Sequence, residues 1–131
     1  MAYNLLIVDD SSIIRKSLRK ALGLAEIELG QVFEAANGQE ALDLLKKEWV
    51  DLIFLDINMP VMNGMEFMKQ LRGIDALRGM PVLIISTEGS QVRYAELEKL
   101  GIKGILRKPV RPESLAETVQ SILGGAGNGA V

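Results

Sequence analysis

Three runs of four consecutive apolar residues constrain the fold of this chain more than any other feature. They are Leu5–Val8, Leu52–Leu55 and Val82–Ile85. Continuous apolar runs of this length are typical of strands covered on both faces, as in parallel sheets flanked by helices. A segment with apolar residues at helical spacing follows each run. The sequence therefore predicts an α/β fold with a parallel sheet.

Two weaker strands and five helices complete the predicted pattern. Gln31–Ala35 alternates as an edge strand does, and Gly104–Arg107 is a short last strand. The first helix is expected to begin at Ser11 or Ser12, either of which could cap it, and to stop at Gly23. The other helices are predicted over residues 38–48, 65–72, 90–100 and 112–122. This is a doubly wound (βα)5 pattern, with crossovers long enough for right-handed parallel pairing.

Length and composition bound the class of protein. The chain has 131 residues, which indicates one domain, here 1–123, followed by a Gly-rich tail, 124–131, that we expect to be flexible. We expect that the chain is too short to include a DNA-binding output module as well. The absence of Cys and His excludes thiolate and histidine metal sites and Ser/His/Asp triads.

Charge and hydropathy give the expected partners and location. The net charge of -2 does not favour binding to nucleic acid or to a membrane surface. No apolar stretch approaches the ~20 residues of a membrane span, and no signal peptide opens the chain. We expect a cytoplasmic protein without membrane insertion.

Four of the predicted strands end in residues that can carry chemistry. Asp9 and Asp10 follow the first, Asp56 the third, Ser86 the fourth and Lys108 the fifth. The carboxyl ends of parallel strands share one edge of the sheet, where ligands of doubly wound folds bind. Each motif alone is common in turns and caps, and it is their convergence that predicts a site.

Three carboxylates at one sheet edge predict a divalent cation. Two carboxylates 4 Å apart repel by ~4 kcal/mol at an effective dielectric constant of 20, so three in one pocket would either raise a pKa or recruit a cation. An all-oxygen ligand set suits Mg²⁺, or Mn²⁺ in its place. Beside the cation, Asp56 can act as a carboxylate nucleophile and form an acyl phosphate. The Lys108 ammonium and the Ser86 hydroxyl can then bind the phosphoryl oxygens.

Two rival functions fit the sequence less well. An aspartate-nucleophile phosphatase of the haloacid dehalogenase type has two Asp residues one apart after its first strand, whereas Asp9 and Asp10 are adjacent. Such a phosphatase also carries a capping insertion, which is absent. A nucleotide-binding module needs a Gly-rich phosphate loop, and none follows Val8.

The segment Asp56–Gly64 resembles the phosphoacceptor loop of two-component response regulator receiver domains. Asp9-Asp10 before a helix, Ser86 thirty residues after Asp56, and Lys108-Pro109 twenty-two residues further on match that family's spacing. The resemblance extends from Asn4 to about Leu123 and is strongest with stand-alone, CheY-like receivers. It implies a flavodoxin-like sheet of five parallel strands in the order 2-1-3-4-5, an order known for flavodoxin and CheY themselves.

The resemblance also assigns roles to the metal-binding end of the site. Asp56 would be the phosphorylated residue, and Asp10 and Asp56 would bind Mg²⁺ through their carboxylates. Asp9 would reach the ion through water, and Asn58 through its backbone carbonyl. Asn58 and Glu88 lie where members of the family tune dephosphorylation.

At the other end of the site, Lys108 would contact the phosphoryl group and Ser86 would be the switch hydroxyl. The Lys108-Pro109 bond would be cis, at a cost of only ~0.5–1 kcal/mol. The sequence departs from the family at Ile105, where Tyr or Phe is common, so the usual aromatic switch is missing. Thr87, in place of a small Ala, is a second departure.

Two surfaces are candidates for partner binding. The face formed by helix four, strand five and helix five is predicted to transmit the signal, with candidate contacts Tyr94, Ile105, Arg107 and Arg111. The first helix carries a basic face, Arg15-Lys16 and Arg19-Lys20, which is either solvated or a docking surface for a kinase or phosphotransferase. Trp49 is interpreted as a packing residue.

The resemblance implies a phosphoacceptor signalling protein rather than an enzyme, although one able to promote its own phosphorylation and dephosphorylation. The donor would be a sensor histidine kinase or a phosphotransferase, and a downstream protein would bind the phosphorylated form, which a phosphatase could reset. A monomer is expected. Chemotaxis is one candidate pathway, and a phosphorelay intermediate or a phosphate sink without a motor-type partner is the alternative.

Overall fold

The computed structural model describes residues 2–87 and 94–124. The strands are β1 Tyr3–Val8, β2 Leu29–Ala35, β3 Leu52–Leu55, β4 Val82–Thr87 and β5 Gly104–Lys108. The α-helices are α1 Ser12–Leu24, α2 Gly38–Leu45, α3 Gly64–Arg72, α4 Tyr94–Lys99 and α5 Pro112–Val119. A 3-10 turn, Asp75–Leu77, precedes β4, and a π turn, Gln120–Gly124, follows α5.

The sheet has the predicted architecture. Its five strands are parallel and lie in the order β2-β1-β3-β4-β5, so the predicted doubly wound order is confirmed. Strand order reverses beside β1, which pairs with both β2 and β3. Val8 pairs with Leu55 in the last rung between β1 and β3. This register places the residues that follow, Asp9 and Asp56, side by side.

Alternation along the strands divides the core into two layers. Leu6, Val8, Ile53 and Ile84 face α2, α3 and α4, whereas Leu5 and its equivalents on the neighbouring strands face α1 and α5. Both faces of β3 are fully buried. The continuous apolar runs are explained by this double coverage, because no face of a central strand meets solvent.

Local side-chain bonds set where the helices begin. Ser11 caps α1 by accepting the Ile14 N–H, which decides between the two serines predicted for this role. Asn63 and Glu66 form a reciprocal capping box at the start of α3. The first turn of α3 is thereby fixed directly after the loop that begins at Asp56.

Arg72, at the end of α3, donates hydrogen bonds to backbone carbonyls outside its own helix. Its guanidinium donates to the carbonyls of Leu100 at 2.6 Å and Gly101 at 3.2 Å, just past α4. It also donates to the carbonyls of Arg78 and Met80, both at 2.9 Å. One side chain therefore joins two loops, the one between α3 and β4 and the one after α4.

Several boundaries and one packing assignment differ from the predictions. The second helix ends at Leu45 rather than at residue 48, because residues 46–49 are all exposed and would add no buried contact to a longer helix. The prediction that Trp49 packs is wrong: it is 59% exposed, and its indole N–H reaches the Asp51 carboxylate at 3.4 Å. The predicted start of the fourth helix at Ser90 lies outside the described residues, as does the predicted flexible tail beyond Gly124.

Within residues 2–87 and 94–124, no helix combines the length and the apolar character that crossing a membrane requires.

Candidate functional site

Three carboxylates meet at the carboxyl edge of the sheet. Asp9 and Asp10 follow β1, and Asp56 follows β3, held by its N–H bond to the Val8 carbonyl at 2.9 Å. Each of the three offers an oxygen within 4.8 Å of the others. Asp9 and Asp56 are buried, whereas Asp10 is exposed. Among these three residues, Asp10 therefore forms the side of the cluster that is open to solvent.

Lys108 brings a positive charge to this cluster from β5. Its Nζ lies 2.6 Å from Asp9 Oδ2 and 3.5 Å from Asp56 Oδ1. The other oxygen of Asp9, Oδ1, accepts the Ser11 N–H at 2.9 Å. Both oxygens of Asp9 are thus bonded to protein groups, which suits the predicted contact of Asp9 with a metal through water.

The environment of Asp56 disfavours its charged form. Burial is the main cause that raises its pKa, and the neighbouring Asp9 carboxylate adds to it. The Lys108 ammonium and the Ile57 N–H, which donates to Asp56 Oδ1 at 2.9 Å, act in the opposite direction without cancelling the effect. A divalent cation would favour the ionised form that a nucleophile requires.

The donor set fits an oxygen-binding divalent cation. Magnesium takes ligands at 2.0–2.1 Å, so opposite ligands of one ion lie about 4 Å apart. One oxygen from each of the three carboxylates lies within 4.8 Å of the others, so the three are grouped on the scale of a single ion site. Asp10 and Asp56 could supply oxygens directly, and the backbone carbonyl of Asn58 is the further ligand implied by the family. The group therefore suits Mg²⁺ or Mn²⁺.

The loop after Asp56 has a strained backbone. Val61 has φ of 67°, and the Met62 N–H bonds the Pro60 carbonyl at 2.7 Å, which makes a γ-turn centred on Val61. A β-branched residue is costly in this conformation. The turn presents Val61 to solvent at the rim of the site.

Gly64 is a site residue that the sequence analysis did not single out. Its N–H bonds the Ile57 carbonyl at 2.8 Å, closing the loop. A Cβ at this position would lie 2.5 Å from the Asp56 carbonyl oxygen and 2.8 Å from Ile57 Cα. Only glycine allows this approach, and the signal available in the sequence was a Gly directly before a helical pattern.

Ser86 lies at the end of β4 and is almost fully buried. Its hydroxyl oxygen is 3.3 Å from the hydroxyl of Tyr94 on α4, and either atom can donate. Tyr94 is half-buried and packs against the same core layer as Ile105. Both were predicted as contacts for a partner, and the structure shows that each is also part of the packing behind the site.

The remaining predicted residues are placed as follows. Arg107 and Arg111 are exposed on and beside β5, on the predicted partner face. The Lys108-Pro109 peptide bond is cis. Asn58 is exposed directly beyond Asp56, and Glu88 lies outside the described residues. Their roles in signalling and dephosphorylation stay predictions.

The basic face of α1 is partly neutralised within the chain. Arg15 and Arg19 each place a guanidinium nitrogen 2.8 Å from the Glu34 carboxylate on β2. Lys16 and Lys20 are exposed. Of the predicted basic surface, the two lysines therefore remain the better candidates for contact with a partner.

Comparison with known proteins agrees with this fold. The model of the response regulator receiver domain family matches residues 5–120. A chemotaxis protein CheY homolog of Campylobacter jejuni is 38% identical over 128 residues, which cover 96% of this chain and 97% of the relative. The solved structure of the chemotaxis response regulator CheY4 of Vibrio cholerae has a TM-score of 0.81 and 37% identity, covering 93% of this chain and 99% of that one.

The chain belongs to the family of response regulator receiver domains, which places it in two-component signalling. Within that family it is CheY-like, and chemotaxis proteins are among its relatives. Similarity does not stop at chemotaxis proteins. A probable transcriptional regulator, ycf29 of Porphyra purpurea, is 34% identical over 94% of this chain and 57% of its own length.

Proposed function

We propose that this receiver accepts a phosphoryl group on Asp56 in a reaction that depends on Mg²⁺, and that the phosphorylated form changes its binding to another protein. The observation that carries the proposal is the meeting of Asp56, Asp9 and Asp10 with the Lys108 ammonium at one sheet edge. The donor would be a phosphohistidine on a sensor histidine kinase or a phosphotransferase. This chain contains no histidine of its own.

The transfer forms one bond and breaks one. The Ile57 and Lys108 contacts both fall on Oδ1 of Asp56, so we assign the attack on phosphorus to Oδ2. A P–O bond forms, the P–N bond to the donor imidazole breaks, and the imidazole nitrogen leaves with the electron pair of that bond. Magnesium, when bound, would neutralise charge on the phosphoryl oxygens and keep Asp56 ionised. The product is an acyl phosphate.

Lys108 and Ser86 would bind the new phosphoryl group in this proposal. Phosphorylation adds about −1.5 to −2 charges and three acceptor oxygens. Charge-assisted bonds from Lys108 and Ser86 would each contribute ~1.5–3 kcal/mol. Driving a two-state equilibrium from 1:99 to 99:1 takes ~5.5 kcal/mol, so we expect a partial shift in population.

The proposed output surface is the face formed by α4, β5 and α5. Ser86 lies at the end of β4, bonded to Tyr94 of α4, and Lys108 ends β5, so both phosphoryl contacts adjoin this face. Arg107 and Arg111 project from it into solvent. Replacing both arginines by Ala should weaken phosphorylation-dependent binding of a partner about tenfold, measured by calorimetry with the beryllofluoride form. Binding at wild-type affinity would show that the partner uses another surface.

Chemotaxis is the pathway we propose first, because the chemotaxis relatives match this chain over nearly their whole length. A phosphorelay intermediate or a phosphate sink would use the same site. In each case the protein is a phosphoacceptor rather than an enzyme acting on a separate substrate, works in the cytoplasm, and promotes its own phosphorylation and dephosphorylation. The exposed Lys16 and Lys20 on α1 are the proposed contacts for the donor.

Incubation with acetyl phosphate tests the chemistry without knowledge of the donor. With Mg²⁺ present, intact-mass measurement should show one added phosphoryl group, which is lost at high pH as expected of an acyl phosphate. Chelation of the metal by EDTA should reduce the labelled fraction at least tenfold, and Mn²⁺ should restore it. Equal labelling with and without a divalent cation would contradict the metal dependence.

A further inference from the structure

We infer that Tyr94 is a positioning residue for the Ser86 hydroxyl and directs its proton toward the phosphoryl group on Asp56. The inference rests on the proposed function and extends it to a residue of α4. The observation behind it is the 3.3 Å contact between Ser86 Oγ and the Tyr94 hydroxyl. Ile105 provides no hydroxyl for this purpose, so α4 supplies the aromatic residue that β5 lacks.

Because Ser86 is buried, the neighbouring Tyr94 hydroxyl can determine where the Ser86 hydroxyl donates its hydrogen bond. Ser86 is 1% exposed, so bulk water has little access to its hydroxyl. Ser86 pairs with Arg107 in the sheet, two residues after the Ile84–Ile105 pair, so these residues share one face of the sheet. That face packs against α4, where Tyr94 is half-buried. The tyrosine ring is thereby held against the core with its hydroxyl toward Ser86.

Counting donors and acceptors shows which hydroxyl donates to the other once Asp56 is phosphorylated. A serine hydroxyl has one proton to donate and two lone pairs that accept, and the same is true of tyrosine. Before phosphorylation, either hydroxyl can donate to the other. A hydrogen bond to a charged phosphoryl oxygen is about twice as strong as one to a neutral acceptor, so the Ser86 hydroxyl donates its hydrogen bond to the phosphoryl group. Tyr94 must then be the donor to Ser86.

This arrangement strengthens the contact of Ser86 with the phosphoryl group. A hydroxyl that accepts a hydrogen bond becomes a better donor, because chains of hydrogen bonds polarise one another. At 3.3 Å the contact is longer than the 2.7–2.8 Å typical of O–H···O bonds, which leaves room for it to shorten. Tyr94 thus adds affinity for the phosphoryl group without touching it.

Binding of beryllofluoride in the presence of Mg²⁺ tests the inference, with the affinity measured by calorimetry and the bound fluoride observed by ¹⁹F NMR. Tyr94→Phe keeps the ring and removes the hydroxyl, and it should weaken binding about fivefold. Tyr3→Phe removes the other tyrosine hydroxyl of the chain and should leave affinity unchanged. In the Ser86→Ala background, Tyr94→Phe should have no further effect, because there is no hydroxyl left to position.

The outcomes separate this inference from the function on which it rests. Weakening by Tyr94→Phe that disappears in the Ser86→Ala background supports the positioning role, since a loss of packing would persist there. An equal effect in both backgrounds, or none in either, would overturn the role of Tyr94 alone. Failure of the unmodified protein to bind beryllofluoride at all would overturn the proposed phosphoryl site, and the role of Tyr94 with it.

Discussion

Asp56→Asn should accept no phosphoryl group from acetyl phosphate and should unfold at higher urea concentration than the unmodified protein. Labelling is lost because an amide oxygen does not form the acyl phosphate. Stability rises because the substitution removes a buried charge at Asp56, whose pKa is raised by desolvation and by Asp9. We expect a gain of about 1–2 kcal/mol at neutral pH in EDTA, from urea unfolding followed by circular dichroism.

The gain should depend on pH with a definite sign. A carboxyl whose pKa is raised on folding binds more protons in the native state, so it stabilises the fold at low pH. That contribution is lost as pH rises from the ordinary carboxyl pKa through the raised pKa of Asp56. The stability difference between Asp56→Asn and the unmodified protein should therefore grow over this window. A difference that is constant with pH would show that burial of charge is not its cause.

Asp75→Asn is a suitable control for both measurements. The Asp75 side chain is 91% exposed, and its contact is a surface pair with Arg78. Surface pairs contribute about 0–1 kcal/mol, so stability should change little. Labelling by acetyl phosphate should be retained in full. If this control also lost labelling, the effect of Asp56→Asn could not be assigned to the site.

Gly64→Ala should destabilise the fold by about 3 kcal/mol and weaken metal binding at the same time. The added Cβ meets backbone on two sides, the Asp56 carbonyl oxygen at 2.5 Å and Ile57 Cα at 2.8 Å. Backbone cannot turn aside as a flexible side chain can, so the loop must move away from α3. Because that loop includes the residues directly after Asp56, the carboxylate should be displaced from Asp10. Urea unfolding and a Mg²⁺ titration measure the two effects.

Gly79→Ala is the matched control. A Cβ at position 79 would have no atom within 4 Å. The same substitution should therefore leave metal affinity unchanged and shift stability by no more than about 0.5 kcal/mol. If Gly64→Ala proved as mild as Gly79→Ala, the close packing of α3 against the phosphoacceptor loop would be contradicted.

Much of this site could be predicted because it follows from the ends of strands. The apolar runs locate the ends of β1, β3 and β4. A parallel sheet brings those ends to one edge, and this does not depend on the conformation of the loops. Asp9 and Asp56 could be brought together on this basis, and Lys108 follows the short last strand predicted at Gly104–Arg107. Their convergence needed only the strand order, which the family resemblance supplied and the sheet confirms.

What escaped prediction depends on contacts between residues that no short pattern links. Gly64 matters because a Cβ at this position would clash with the Asp56 carbonyl in the preceding loop. Tyr94 has the spacing of a surface residue on an amphipathic helix, and its contact with Ser86 depends on how α4 packs on the sheet. Arg15 and Arg19 have the pattern of free charges, and their partner Glu34 lies on another element, β2. These contacts are tertiary, so local propensity and periodicity do not reveal which atoms meet.

The bonds from Arg72 to the carbonyls of Leu100 and Gly101 determine what kind of motion α4 can make. They anchor the carboxyl end of a helix whose first described residue, Tyr94, contacts Ser86. With its carboxyl end held in this way, α4 can tilt about that end but cannot slide along its axis. The segment Tyr94–Lys99 has six residues and is about 9 Å long, so a 1 Å displacement at Tyr94 becomes a tilt of roughly 6°. A partner on this face would then detect a tilt of α4, with a displacement greatest beside Tyr94 and vanishing toward the anchored end at Leu100.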